Sequence, residues 1–86
     1  MHTVEIFGYC LDLARRLDYE IRQEWLAGNG GGGCILRGRK ILFLDLALGP
    51  ADQLDQVLDT LRREPEAHRL PMPQAVRDLL TVRKSA

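Results

Sequence analysis

The chain has 86 residues, with 12 basic and 12 acidic side chains and therefore no formal net charge. This length is that of one small domain, and the charge balance excludes a global field that would attract nucleic acid or anionic lipid. Its 45% hydrophobic and 28% charged residues are typical of a globular protein. We expect a single domain over residues 1–86, with a flexible tail at about 84–86.

The amino terminus shows no basic region followed by a long apolar run, and no apolar stretch approaches the length of a membrane span. These features predict a cytoplasmic protein that does not contact membranes. The two cysteines, Cys10 and Cys34, are expected to be reduced thiols in that compartment.

The first segment has the periodicity of an amphipathic helix. Its apolar residues recur at spacings of three and four, as Val4, Phe7, Cys10, Leu11, Ala14 and Leu17. The pattern predicts a helix over residues 4–17 with Thr3 as its N-cap. Gly8 lies inside it and costs about 1 kcal/mol relative to alanine.

Three strands are predicted next. Residues 19–26 alternate between apolar and polar side chains, which indicates a half-solvated strand, and Trp25 is expected in the core. Residues 34–37 and 40–46 predict a second and a third strand. Gly38-Arg39 between them has the glycine-first order of a type II′ hairpin turn.

Two helices complete the pattern. Pro50 suits the first position of a helix that Pro65 ends, and a last short helix is predicted at about residues 74–83. The order is α-β-β-β-α-α. It predicts an α+β fold in which helices pack on one face of a small, three-stranded, mainly antiparallel sheet.

The third strand is apolar on both faces, and in a simple meander it would also be an edge strand. Either the last helix covers its second face or a second copy of the chain does. The second alternative predicts a homodimer, with an interface formed by Leu42, Leu44, Leu46 and Trp25.

The segment from Gly28 to Gly33 matches G-x-G-x-x-G, but its context excludes the familiar nucleotide motifs. A Walker A loop needs Lys and Ser or Thr after the last glycine, where this chain has Cys34 and Ile35. A dinucleotide-binding turn needs a helix there, and a strand is predicted instead. A protein kinase would need a second lobe and H-R-D and D-F-G sequences, which are missing.

One binding function remains open for this segment. Its consecutive N–H groups could form a nest for a small anion such as a phosphate or a nucleotide. The residues of that hypothetical site are Gly28, Gly30, Gly31 and Gly33, with Arg37, Arg39 and Lys40 at the hairpin tip. The alternative is a flexible connection, or one that a partner orders.

Catalytic and metal-binding residues are scarce. The only serine is Ser85 in the tail, and Cys34 with His68 is a weak nucleophile–base pair because little in the sequence would lower the thiol pKa. Two histidines and two cysteines lack the paired spacing of a zinc site. We expect no metal and no cofactor.

One segment resembles a known family. The run "ILFLDLALGP" leading into a helix is similar to the approach to the active helix of small zinc metallopeptidases, in which H-E-x-x-H would follow. Here the helix contains "QVLDTLRRE", with neither the histidines nor the catalytic glutamate. The resemblance covers about a third of the chain and implies a protein without peptidase activity.

The sequence therefore predicts a small non-catalytic domain that acts through binding, as a homodimeric interaction module or as an accessory or regulatory partner of another protein. The alternative is a small-molecule, nucleotide or phosphate module that uses the glycine segment, and an enzyme ranks third. Binding to nucleic acid is not expected, because the chain has only five aromatic residues for stacking on bases.

Overall fold

The structure is a computed structural model, and it describes residues 2–28 and 30–81. In chain order its elements are α1 (Thr3–Arg16), β1 (Glu20–Glu24), β2 (Gly32–Leu36), β3 (Arg39–Asp45), α2 (Pro50–Arg62), a 3₁₀ helix (Pro65–Arg69) and α3 (Gln74–Thr81). The predicted α-β-β-β-α-α order and the α+β class are confirmed. The predicted end of the last helix at 83 and the tail at 84–86 lie outside the described residues.

The sheet is mixed, and β3 is its central strand. The strand order is β1-β3-β2, with β2 antiparallel and β1 parallel to β3. The sheet is thus mixed where a mainly antiparallel one was predicted, and β3, which would be an edge strand in a simple meander, is paired on both sides. β1 therefore pairs on the far side of β3 and not beside β2.

The β2–β3 hairpin has a different turn from the one predicted. Leu36 pairs with Arg39, so the two loop residues are Arg37 and Gly38. Both have positive φ, at 53° and 78°, which is the sign pattern of a type I′ turn and not of type II′. Glycine thus occupies the second loop position, and Arg37 adopts the left-handed conformation before it.

α2 starts where the sequence predicts, and α1 starts one residue earlier. Pro50 is the first residue of α2, as predicted, after Gly49 as N-cap. α1 begins one residue earlier than predicted, because Thr3 is already helical and His2 takes the N-cap position without a side-chain hydrogen bond. Neither helix within the described chain therefore depends on a side-chain cap at its start.

The core lies between the sheet and the helices. On β3, Leu42 and Leu44 are fully buried and belong to one cluster with residues of all three α-helices. Because successive strand side chains point to opposite faces, Ile41 and Phe43 lie on the other face of the sheet. Ile41 is buried there without joining the core cluster. The helices therefore cover one face of the sheet.

The last helix adds to the same side of the sheet. Val76 and Leu80 of α3 are buried in the core cluster, and α3 contacts α2. The predicted alternative in which this helix wraps round to the second sheet face is therefore wrong. Within residues 2–28 and 30–81, no helix is both long and apolar enough to cross a bilayer.

Both helices that flank the strands begin at the same end of the molecule. α1 is joined to β1 by three residues, and α2 follows β3 after four, so each helix runs back along its strand. β1 and β3 are parallel. The starts of α1 and α2 and the carboxyl ends of β1 and β3 therefore share one end. We call residues 25–28 and 30–31 the link and this end the link end.

Candidate functional site

The link is held by a buried carboxylate at the end of the central strand. Asp45 has no exposed surface. Its Oδ1 accepts hydrogen bonds from the N–H groups of Leu26 and Ala47, at 3.0 and 2.9 Å, and its Oδ2 accepts one from Gly28 at 2.7 Å. One side chain thus fastens both the start of the link and the turn that leads into α2.

The same hydrogen bonds keep Asp45 ionised. Burial disfavours the charged form and is the largest single influence on this carboxyl. The N–H groups of Ala47, Leu26 and Gly28 together outweigh it, so the pKa of Asp45 lies below its ordinary value of 3.8. At neutral pH a full negative charge therefore occupies the space beneath the link.

Two side chains of α2 hold the rest of the link. Gln56 donates from Nε2 to the carbonyl of Gly30 at 3.0 Å and accepts the N–H of Asp45 at 3.3 Å. Thr60 accepts the N–H of Gly33 at 2.9 Å and donates to the carbonyl of Gln56 at the same distance. The chain's own groups thus hold the glycine segment at Gly30 and Gly33.

Two of the glycines are required by this close approach. Gly31 has φ of 116°, and a Cβ there would collide with the amide of Gln56. A Cβ on Gly33 would lie 2.5 Å from Cγ2 of Thr60. Glycine is the residue that permits both the left-handed backbone and the narrow gap to α2. The glycine run thus fits a packed crossing.

The structure does not bring the residues of the predicted anion site together. The N–H of Gly28 already serves the Asp45 carboxylate, which would repel a phosphate. Arg37 and Arg39 lie at the other end of β2, roughly 20 Å from Gly31 at about 3.3 Å per residue. Arg39 pairs with Glu20 at 2.8 Å. One small ligand cannot contact both groups.

The third basic residue of that predicted site, Lys40, belongs to a separate polar cluster. Its Nζ lies 3.2 Å from Oε1 of Glu64, donates to the carbonyl of Leu17 at 3.1 Å and lies over the ring of Tyr19. Tyr19 in turn donates its hydroxyl to Glu64 at 2.7 Å. No spacing in the sequence indicates this cluster, because the tyrosine and the glutamate are 45 positions apart.

The pKa shifts of Tyr19 and Glu64 suit a structural role for this cluster. Burial, and then the hydrogen bond and charge of Glu64, raise the pKa of Tyr19 to about 12. The tyrosine hydroxyl lowers the pKa of Glu64 below its ordinary 4.5, against the effect of burial, and Lys40 lowers it further. A tyrosine that holds its proton so firmly is poorly matched to acid–base catalysis near neutral pH.

The four residues of the predicted dimer interface divide into two pairs. Leu42 and Leu44 lie in the core against the helices, so their assignment to an interface is corrected. Trp25 and Leu46 are 72% and 45% exposed, and Trp25 is therefore not the core residue that the strand pattern predicted. β1 ends at Glu24, one residue before the tryptophan, so Trp25 lies beyond the paired part of the strand.

Trp25 and Leu46 follow neighbouring strands at the link end. Glu24 is in register with Asp45, and the N–H of Leu46 donates to the carbonyl of Glu24 at 2.9 Å. The residues that follow these partners are thus neighbours across the ends of the two parallel strands. Both side chains are apolar and exposed at this end.

A shallow pocket opens at the same end and was not foreseen from the sequence. It has a volume of about 140 Å³ and is lined by Thr3, Val4, Phe7, Pro50 and Gln53. The starts of α1 and α2 meet there. The sequence does not indicate this pocket, because its residues come from two distant segments. Only the parallel β1–β3 pairing brings those segments to one end.

The two cysteines have different surroundings. Cys10 is buried in α1, and burial raises its pKa to about 11, so it is an unreactive core residue. Cys34 is exposed on β2. Among residues 2–28 and 30–81, no three His, Cys, Asp or Glu side chains are grouped so that they could hold a metal ion.

Comparison of the chain with known protein families, with curated proteins and with solved structures gives no match.

Proposed function

We propose that this chain is a protein-interaction module that forms a homodimer through its link end, with Trp25 and Leu46 in the contact. The observation that carries the proposal is the exposure of Trp25, 72% of which is open to solvent on a segment that is otherwise fastened down. Tryptophan is among the residues that contribute most to the binding energy of interfaces.

The hydrogen bonds between the link and Asp45 support this function. Leu26 and Gly28, next to the tryptophan, are both held by Asp45. The conformational entropy of ordering the segment is therefore lost on folding and not on association. Preorganisation of this kind favours binding, because fewer groups become ordered when the partner arrives.

The phosphate-binding alternative has no comparable support. The N–H of Gly28 is occupied by a carboxylate, and the basic hairpin tip lies at the opposite end of the sheet. We therefore propose the interaction module alone.

The test is the molar mass of the full chain in solution, measured by sedimentation equilibrium from low to high micromolar concentration. The wild type is expected to pass from monomer to dimer. Trp25→Ser is expected to raise the dimer dissociation constant at least roughly tenfold, the loss typical of a central interface tryptophan.

Ile35→Ser is the matched control. Ile35 is 73% exposed, the same as Trp25 to within one per cent, but lies on β2 towards the hairpin. It should leave the dissociation constant unchanged. A wild type that remains monomeric at high micromolar concentration, or equal effects of the two substitutions, would contradict the proposed function.

A further inference from the structure

The link end carries both a protruding apolar side chain and an apolar recess of matching size. Trp25 is 72% exposed and lies directly after the end of β1, in the sheet layer. The pocket bounded by Val4, Phe7 and Pro50 opens between the starts of α1 and α2, in the helix layer. Nothing within the described chain fills this pocket, and its volume of about 140 Å³ is suited to one ring.

The pocket is the right size for part of an indole. A dry apolar cavity of about 150 Å³ can hold one benzene ring. This pocket is of that order and opens on the surface, so the six-membered ring of a tryptophan can enter while the rest of the indole covers the rim. Val4, 81% exposed at that rim, would be covered as well.

The positions of Trp25 in the sheet layer and of the pocket in the helix layer favour a second copy of the chain as the source of the tryptophan ring. In one copy, the tryptophan and the pocket lie in different layers of the same end. A two-fold axis through that end, running between the layers, places the sheet layer of each copy against the helix layer of the other. An isologous contact of this kind brings each protrusion to the opposite recess.

From this we infer that each copy of the chain inserts its Trp25 into the Val4–Phe7–Pro50 pocket of a second copy, reciprocally, in an end-to-end dimer. This inference rests on the proposed function and names the receptor for the tryptophan. It also accounts for an exposed tryptophan and an unfilled apolar recess at one end of the same small domain.

The area that such a contact buries favours a reciprocal dimer over a single insertion. A tryptophan side chain buries about 150–250 Å², so two insertions bury roughly 300–500 Å² of tryptophan surface. Leu46 and the pocket walls, Val4 among them, add a smaller area. The total stays below the roughly 1,200 Å² at which stable specific interfaces begin, and one insertion would bury only half of it. The dimer is therefore expected to be weak and in rapid exchange.

The experiment uses the full chain and its single tryptophan. With rising concentration, the wild-type fluorescence emission should shift to the blue and become harder to quench with acrylamide, in step with the increase in mass. Val4→Arg, and independently Thr3→Arg, place a charged side chain at the pocket rim. Each should raise the dissociation constant at least roughly tenfold and keep the emission of an exposed indole.

The control is Ile35→Arg, which adds the same charge at an equally exposed site away from the link end. It should dimerise as the wild type does, and circular dichroism should show every variant folded, because the substituted positions are exposed. If Trp25→Ser is monomeric while both rim variants dimerise normally, the pocket inference is wrong and the proposed function stands. If the wild type stays monomeric, or Trp25→Ser still dimerises, both are wrong.

Discussion

At the scale of single residues, Asp45 is the side chain on which the link most depends. Asn has nearly the same size, but its amide nitrogen cannot accept a hydrogen bond, so at least one N–H among Leu26, Gly28 and Ala47 loses its partner. We expect Asp45→Asn to lower Tm by more than about 5 °C. Calorimetry at pH 7 measures this. Asp18→Asn is an exposed aspartate control, and an equal drop there would contradict the assignment.

The same residue predicts a pH dependence. The folded-state pKa of Asp45 is depressed below 3.8, so its contribution to stability is fully present above that pH and is lost as the pH falls through the folded-state value. The wild type should therefore lose free energy of unfolding more steeply below pH 4 than Asp45→Asn does. Urea titrations of both proteins at pH 7 and pH 3 give the comparison, and parallel losses would contradict it.

One feature of the sequence distinguishes Asp45, although hydrophobic periodicity does not reveal it. Asp45 is a charged residue that directly follows the apolar run at 41–44, and a buried charge needs partners. Those partners are backbone N–H groups of the link, which carry no side-chain pattern. For that reason the position could have been singled out, while its role in ordering the glycine segment could not.

At the scale of elements, α2 holds the start of β2 through Thr60. Thr60→Val keeps the shape of the side chain but removes the acceptor for the N–H of Gly33, and the residue is buried. The lost hydrogen bond is worth about 0.5–1.5 kcal/mol, which is the expected loss in free energy of unfolding. Denaturant unfolding, together with faster amide exchange at Gly33, measures it. If Thr60→Val changed neither the free energy of unfolding nor the amide exchange at Gly33, other contacts would be holding the edge of β2.

A second element-level prediction concerns α1. Gly8 is exposed in the middle of the helix, and an added Cβ would meet nothing within 4 Å. Gly8→Ala should therefore raise the free energy of unfolding by about 0.5–1 kcal/mol, the difference in helix propensity. Gly33→Ala is the contrasting variant, expected to destabilise because of Thr60. A loss of stability in Gly8→Ala would indicate a contact at that face of α1, such as one with a partner.

Periodicity predicted the helices and strands well because each element shows its buried face in its own residues. It failed where the outcome depends on two distant elements. The parallel pairing of Glu20 with Ile41 follows from where the link passes, and nothing local distinguishes it from a meander. The exposure of Trp25 has the same origin, since the tryptophan continues the alternation of β1 but lies beyond the last paired residue.

At the scale of the whole molecule, the balance of charges predicts how association responds to salt. The chain has no formal net charge, and the proposed contact is apolar. Raising the sodium chloride concentration from low to high should change the dimer dissociation constant by less than about threefold, because no long-range repulsion is being screened. Sedimentation at several salt concentrations tests this, and a steep dependence would point to a charged interface.

The sheet order also bears on how the chain folds. The β2–β3 hairpin closes through two residues, a step that takes about 1–10 μs. Strand β1 must find β3 across roughly 20 residues, which costs more loop-closure entropy. We therefore expect the hairpin to form first and β1 to dock last, on a strand whose end already carries Asp45 to capture the crossing chain. The docking rate should then depend on the length of the link, so that inserted residues slow refolding while leaving the hairpin itself unaffected.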